Sequence, residues 1–510
     1  MDSHDLSQQP TEAATPAGDG AVPAPKPERP ERGPRLPKGE LVELNVTNLA
    51  FGGAGIAKIG EFVIFVTGAV PGDVVKARIT KYKKRYAEAR AVEIVTPSPD
   101  RIQHRCPSFG SCGGCVWQGL DYSVQLDYKT RQVRESLEHL GGLRDFELLP
   151  IEGMADQWRY RNRADFSIGR SEAGAIVGFK VPGRWDTVLP ISECHLLDPG
   201  IERARAIVEA WLRETDLPGW DPRRNEGFAR HLLVRCSQNG AELLVSLVTV
   251  PGELPGADDL IARLRAELPQ LVGFVHSVNG GKAEISAGLE GTTLWGRAYL
   301  LEKVAGVTLK VSVNAFFQTN TRQTEVLYGL AAREVTAPVP GAPAGEAQGA
   351  APAASAPVIW DLYSGVGSIG LSLAKHATAV LGIEAIPDAV KDAVENARSN
   401  GISNASFFEG DVAKVLRAVA EGALELPAEV ARPDVIVVDP PRAGLTDKAI
   451  DRIGQIGAPR IVYVSCNPAT MGPNIARFQE YGYRLVRVTP VDMFPHTPHV
   501  ECVGLLLRGL

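Results

Sequence analysis

Between Gly39 and Pro97, short runs of alternating apolar and polar residues are separated by glycine-rich turns: ELVELNVTNLA, GIAKIG, EFVIFVTGAV, DVVKARITKYKK and YAEARAVEIV. A period of two turns one side of each run toward a core and the other toward water, which predicts five short strands and a small β-barrel. Residues 100–310 mix strand and helix periodicities without a detectable repeat and predict an α+β region. From Val358 onward the pattern becomes apolar strand, turn, amphipathic helix, with strands at VIWDLYS, AVLGIEA, ASFFEGD, DVIVVDPP, RIVYVSC and YRLVRVTPVD. This alternation predicts an α/β, doubly wound, mostly parallel sheet whose ligands bind at the carboxyl ends of the strands.

Two stretches lack any such pattern. Residues 1–37 hold eight prolines and almost no large apolar side chain, so they cannot bury enough surface to offset ordering entropy and are expected to be a disordered tail. Residues 337–357 contain nine Ala, five Pro and three Gly, the composition of a surface insertion. It follows a helical stretch at Gln323 to Val335 and precedes the first strand of the parallel sheet. The expected organisation is a tail at 1–37, a barrel at 38–98, a central α+β region at 99–311 and a doubly wound domain at 312–510 that carries the insertion. The length of 510 residues suits about three domains.

No run approaches the ~18 apolar residues of a membrane span, and the amino terminus lacks a signal-peptide pattern, so a cytoplasmic location is expected. The net charge of −6 argues against a wholly basic coat but leaves room for local patches. One such patch runs from Val75 to Arg90, where Lys76, Arg78, Lys81, Lys83, Lys84, Arg85 and Arg90 oppose the single acid Glu88, with Tyr82 and Tyr86 between them. A strip of this kind can track phosphates and stack bases, or can be a solvated hairpin.

Candidate chemistry collects at the predicted strand ends. DLYSGVGSIG, from Asp361 to Gly370, supplies a tight turn that brings backbone close to a ligand. Glu384 ends the next strand, where a carboxylate can hold both ribose hydroxyls, and Asp411 ends the third, within reach of an adenine edge. Acidic groups at three successive strand ends fit S-adenosylmethionine better than a dinucleotide, which would need room for a pyrophosphate. Asp439-Pro440-Pro441-Arg442 follows the fourth strand and holds a carbonyl and a carboxylate rigidly beside a planar ring. Cys466, in SCNP, follows the fifth. A thiolate there can add to C6 of a pyrimidine and make C5 a nucleophile toward a sulfonium methyl. Glu501, in HTPHVE, is the candidate to remove the C5 proton afterwards; His496 and His499 alone make a weak metal pattern.

Seven cysteines in a long chain do not suggest a secreted disulfide framework. Three of them, Cys106, Cys112 and Cys115, fall within ten residues. With the distant Cys194 they could hold an iron-sulfur cluster or a four-cysteine zinc ion. Cys236 and Cys502 are expected to be buried or incidental.

The ordered set CPSFGSCGGC, YRNRADF, RHLLVR, VHSVN, NAFFQTN, DLYSGVGSIGL, VVDPPR, VSCNP and HTPHVE resembles the RNA uracil-5-methyltransferase family over residues 39–510 apart from the insertion. That resemblance implies an amino-terminal TRAM barrel and a class I methyltransferase domain. It implies a [4Fe-4S] cluster on Cys106, Cys112, Cys115 and Cys194, a nucleophile at Cys466 and a proton acceptor at Glu501. For S-adenosylmethionine it implies contacts from Gln318, Tyr363, Ser368, Glu384, Asp411 and Asp439. The implied partner is RNA. By analogy 23S ribosomal RNA is favoured over the alternative, a tRNA T-loop uridine, because tRNA-directed bacterial relatives often lack both barrel and cluster. No membrane and no obligate protein partner is inferred. Two other readings are a cytosine-5-methyltransferase, whose usual Pro-Cys motif is absent, and an iron-sulfur RNA-binding protein without catalysis, against which Cys466, Glu501, Glu384 and Asp439 together argue.

Overall fold

The computed structural model describes residues 36–286, 289–338 and 356–509. The tail and insertion read from composition lie almost wholly outside these residues.

The five predicted barrel strands form, as Leu41–Leu49, Gly55–Ile59, Phe62–Thr67, Val74–Tyr82 and Tyr86–Thr96. They close into a barrel. Alternation sets its interior: Leu44, Val46, Ile64, Val66, Val75, Ala77, Ile79, Ala87 and Ala89 are buried together, while intervening residues face water. The basic strip is partly neutralised on its own surface. Lys76 pairs with Glu93 and Lys81 with Glu88, each at 3.0 Å, and Tyr82 stacks on Phe62. Lys83, Lys84 and Arg85, at the turn between the last two strands, are exposed.

The central region is a seven-stranded sheet, antiparallel except where Glu242–Thr249 runs parallel to Leu271–Val278. Helices Pro199–Glu214 and Ala257–Glu267 bury Ile201, Ala204, Val208, Trp211, Leu260 and Leu264 against it. Cys236 is buried in this region.

The carboxyl-terminal sheet has eight strands. Its four-strand parallel half runs Ala405–Glu409, Ala379–Glu384, Val358–Leu362, Val435–Val438, and Arg460–Ser465 continues it in parallel. The run CVGLLLR at the end of the chain forms a further strand, Glu501–Arg508, antiparallel between Arg460–Ser465 and Tyr483–Val491. The two-residue strand Glu147–Leu148, from the segment read as central, pairs with the outer edge of Tyr483–Val491. The helix Tyr122–Glu135 and the turn after it bring Val133, Leu137 and Leu143 into the same core. Gly141 and Gly472 meet so closely there that a Cβ on Gly141 would lie 2.8 Å from the Gly472 backbone, so any side chain would push the two segments apart.

Candidate active site

The parallel strands deliver their carboxyl ends to one rim, and the final strand, running the other way, starts there. Register places Ser465 opposite Cys502 and Val491 opposite Glu501. Cys466, just beyond one strand, and Glu501, at the start of the next, are therefore neighbours although 35 positions apart in the numbering. Cys502, pointing the other way along the pleat, is buried in the core.

The glycine loop leaves strand Val358–Leu362 through backbone that L-residues rarely adopt: Tyr363 has φ +66°, Gly365 +54° and Gly367 +79°. A bulky residue at positive φ costs of order 1–3 kcal/mol and persists only where its surroundings over-determine it. Here Gly365 N–H donates to Glu384 Oε2 at 3.0 Å and Ile386 N–H to Oε1 at 2.8 Å. Each carboxylate oxygen retains a second lone pair for an incoming hydroxyl. A Cβ on Gly367 would lie 2.9 Å from the Phe407 ring. Ser368 accepts the Tyr328 hydroxyl proton at 2.7 Å. Half-buried Tyr363 lies near the Asp411 and Glu384 carboxylates; burial, then these two charges, pushes its phenol up to about 12. Asp411 is exposed and caps helix Val412–Ala420, Oδ1 accepting Lys414 N–H at 3.1 Å. Gln318 is buried and its carbonyl accepts Asn162 Nδ2 at 3.0 Å.

A row of acids runs under the rim from this loop to the thiol. Burial, opposed by the Gly370 N–H and reinforced by Glu384, pushes Asp361 up to about 7. Burial and the Asp361 charge push Asp439 up to about 7. Burial and the Asp439 charge, opposed by Arg442, push Glu501 up to about 8. Burial, then Glu501 and Asp439, push the half-buried Cys466 thiol up to about 11, again against Arg442. Arg442 is thus the counter-charge for both Glu501 and Cys466. Its loop is fixed by Asn467 Nδ2, which donates to the Arg442 carbonyl at 3.0 Å. Asp361 Oδ1, Ser364 Oγ and Glu501 Oε2 are buried without a hydrogen-bond partner among the described residues. Burying polar atoms this way costs free energy, and such atoms mark where a ligand can repay it.

Three residues outside the expected contact set have features that the motifs did not bring out. Asp361 is a strand residue whose burial decides its chemistry. Phe316, in the FFQ run, is 70% exposed, an aromatic where an apolar strand pattern would hide one. Ile386, beside Glu384, is 59% exposed and offers a flat ring an apolar face.

Cys106, Cys112, Cys115 and Cys194 come together at a second place. Burial raises every one of the four thiols, and each also feels another member: Cys106 feels Cys112, Cys112 feels Cys194, and Cys194 feels Cys106. Cys115 feels all three others and is pushed up to about 12. Donors face the sulfurs: Gly114 N–H to Cys112 at 3.4 Å and Gln118 Nε2 to Cys115 at 3.5 Å. Among the described residues no group of three or more His, Cys, Asp or Glu forms a set that could hold a single metal ion.

Residues 353–509 match the family model described as tRNA (Uracil-5-)-methyltransferase, and residues 35–92 match the TRAM domain. An RNA methyltransferase of Halalkalibacterium halodurans, described as uncharacterized, is 35% identical over 92% of this chain and 97% of its own. One from Chlorobaculum tepidum, described likewise, is 36% identical over 93% and 98%. Among solved structures, the Pyrococcus abyssi tRNA (uracil-54, C5)-methyltransferase in complex with S-adenosyl-L-homocysteine is similar at TM-score 0.70 and 27% identity, covering 91% of this chain and all of that one.

Proposed function

The chain belongs to the RNA uracil-5-methyltransferase family, and from that premise we propose that it methylates C5 of a uridine in RNA through a covalent bond between Cys466 and the base. The observation that carries this reading is the convergence of Cys466, Glu501, Asp439 and Arg442 at one strand rim. Residues 38–98 hold RNA, 99–311 carry the cysteine site and further RNA surface, and 312–510 perform the transfer.

The glycine loop with Tyr363 and Ser368, together with Gln318, Glu384, Asp411 and Asp439, holds S-adenosylmethionine. Bound there, it supplies an electrophilic methyl group on sulfur. The target uridine leaves its stack at a cost of a few kcal/mol to enter the site. Cys466 loses its proton, Arg442 favouring the thiolate, and Sγ bonds to C6; the C5=C6 electron pair moves onto C5 and O4. Once C5 carries the methyl group it is saturated and still holds its hydrogen. Glu501 takes that proton, the electron pair re-forms C5=C6, and the bond to Cys466 breaks. Cys106, Cys112, Cys115 and Cys194 would hold a [4Fe-4S] cluster, which would tie the loop at residues 106–115 to the Cys194 segment.

The RNA is 23S ribosomal RNA on the strength of the barrel and cysteine site together; the likeness to a tRNA (uracil-54, C5)-methyltransferase favours tRNA as the second reading. Incubation with RNA carrying 5-fluorouridine, whose fluorine Glu501 cannot remove as a proton, tests the chemistry. Wild-type protein forms an adduct that survives denaturation and Cys466→Ala does not. Undiminished 5-methyluridine formation by Cys466→Ala would overturn the mechanism.

A further inference from the structure

We propose that the cysteine loop sets the position of Glu501 and that Gln125 is the positioning residue joining the two, an inference that rests on the reading just given. The segment leading into the Glu501 strand turns at His496, which is buried and holds φ +66°. A β-carbon residue keeps that conformation only when neighbours fix it, and here they come from the cysteine region. The N–H groups of Val116 and Trp117, immediately after Cys115, both donate to the His496 carbonyl at 3.1 Å. Gln125 is wholly buried and its amide serves both sides. Oε1 accepts the His496 N–H at 2.9 Å, while Nε2 donates to the carbonyls of Trp117 at 3.1 Å and Leu120 at 2.8 Å.

The surrounding packing tightens the same joint. The His496 ring stacks on Trp158 at 4.2 Å between centroids, and the Arg105 guanidinium, next to Cys106, lies 4.9 Å from the Trp158 ring. Tyr160 O–H donates to the Pro495 carbonyl at 3.1 Å. Cys115 and Cys194 pack with Met154, Tyr160, Leu196 and Phe494 in one apolar group. Five residues after this joint stands Glu501. On its other side it is fixed by the ladder to Val491, so a shift at His496 reaches the approach of the carboxylate to C5 first, whereas Cys466 follows the end of the paired strand Arg460–Ser465 and has no hydrogen bond to this joint.

The proposal separates two steps that a general loss of structure would not. Gln125→Leu, as the full-length protein purified anaerobically, should retain wild-type iron and sulfide content and form the 5-fluorouridine adduct at the wild-type rate. On RNA with [5-³H]uridine it should release tritium about 10²-fold more slowly, the usual cost of a misplaced catalytic group, and methylated RNA should accumulate bonded to Cys466. Gln125→Glu keeps the acceptor for His496 N–H and loses both donors to the loop carbonyls. It should show the same accumulation to a smaller degree, and it carries the test if Gln125→Leu does not fold. Normal tritium release by folded variants overturns the proposal, and so does adduct formation on the fluorinated RNA that falls in step with tritium release. Failure of the wild type to form the fluorinated adduct would instead remove the mechanism beneath it.

Discussion

The acid row makes a quantitative statement about pH. Glu501 can take a proton from C5 only when ionised, and burial with the Asp439 charge has pushed it up to about 8. A base with a raised value loses activity as pH falls through that value. At pH 7 about a tenth of the molecules carry the ionised base, at pH 9 about nine tenths, so tritium release from [5-³H]uridine RNA should rise about tenfold over that interval. An ordinary exposed glutamate would be fully ionised throughout and the profile would be flat. Addition by Cys466 also speeds up with pH, because burial, then Glu501 and Asp439, hold its thiol near 11. The two limbs are separable, since adduct formation on 5-fluorouridine RNA reports the addition step, in which Glu501 takes no proton. Asp439→Asn removes the charge that raises Glu501 and should move the tritium limb to lower pH; Arg442→Gln removes the charge that opposes it and should move the limb higher. Tritium release that is level between pH 7 and 9 once addition has been accounted for, or unmoved by both variants, would refute the assignment.

The same burial predicts a stability cost. A carboxyl raised from 4.5 to about 8 on folding withdraws stability as pH climbs through that window, because the unfolded state gains the free energy of ionising from 4.5 upward while the folded state keeps its proton until about 8. Glu501→Gln should therefore raise the thermal midpoint at pH 8.5, by the equivalent of about 1–3 kcal/mol, and much less at pH 5; a lower midpoint at pH 8.5 would contradict the electrostatic account. On the barrel, Lys83, Lys84 and Arg85 are exposed at one turn. Replacing all three with Ala should weaken RNA binding and flatten the dependence of log affinity on log salt by about 0.7–0.9 for each phosphate that these side chains neutralise. Fluorescence anisotropy across a salt series measures both, and an unchanged slope would place the RNA elsewhere.

What could be read along the chain was whatever has a local cause. Alternation marked the barrel strands, and the strand-turn-helix rhythm marked the parallel half of the sheet, with Glu384 and Cys466 at or just past strand ends where loops meet ligands. The strand Glu501–Arg508 was not marked. Its residues after Glu501 are an unbroken apolar run, which has no period of two because both faces of a central strand are buried. Glu501 could be nominated from its motif, but its closeness to Cys466 depends on an antiparallel pairing between segments that no local pattern announces. Asp411 is the reverse case: it stands near the end of the third strand as expected, and the structure also gives it a helix to cap. Gln125 and His496 were invisible as a pair. They lie 371 positions apart, a glutamine on a helix face is ordinarily solvated, and the histidines of HTPH made only a weak metal pattern, with nothing to show that the backbone and ring of His496 are used as a wedge.

The row of acids also imposes an order on the proposed steps. The Glu501 charge raises the Cys466 thiol, and coupling between two sites is reciprocal, so a thiolate must raise Glu501 in turn. The pair therefore resists being doubly ionised, and in the resting site one proton is shared between them more cheaply than both are lost. Bonding of Sγ to C6 converts the sulfur to a neutral thioether and removes its part of the penalty on Glu501. The carboxylate becomes easier to ionise after the covalent bond exists, which is the stage at which a base is needed. A neutral isostere at position 501 would relieve the thiol earlier and leave nothing to receive the proton, so addition should quicken in Glu501→Gln while release stops. The burial that costs stability at this rim is thus what couples the nucleophile to its own departure.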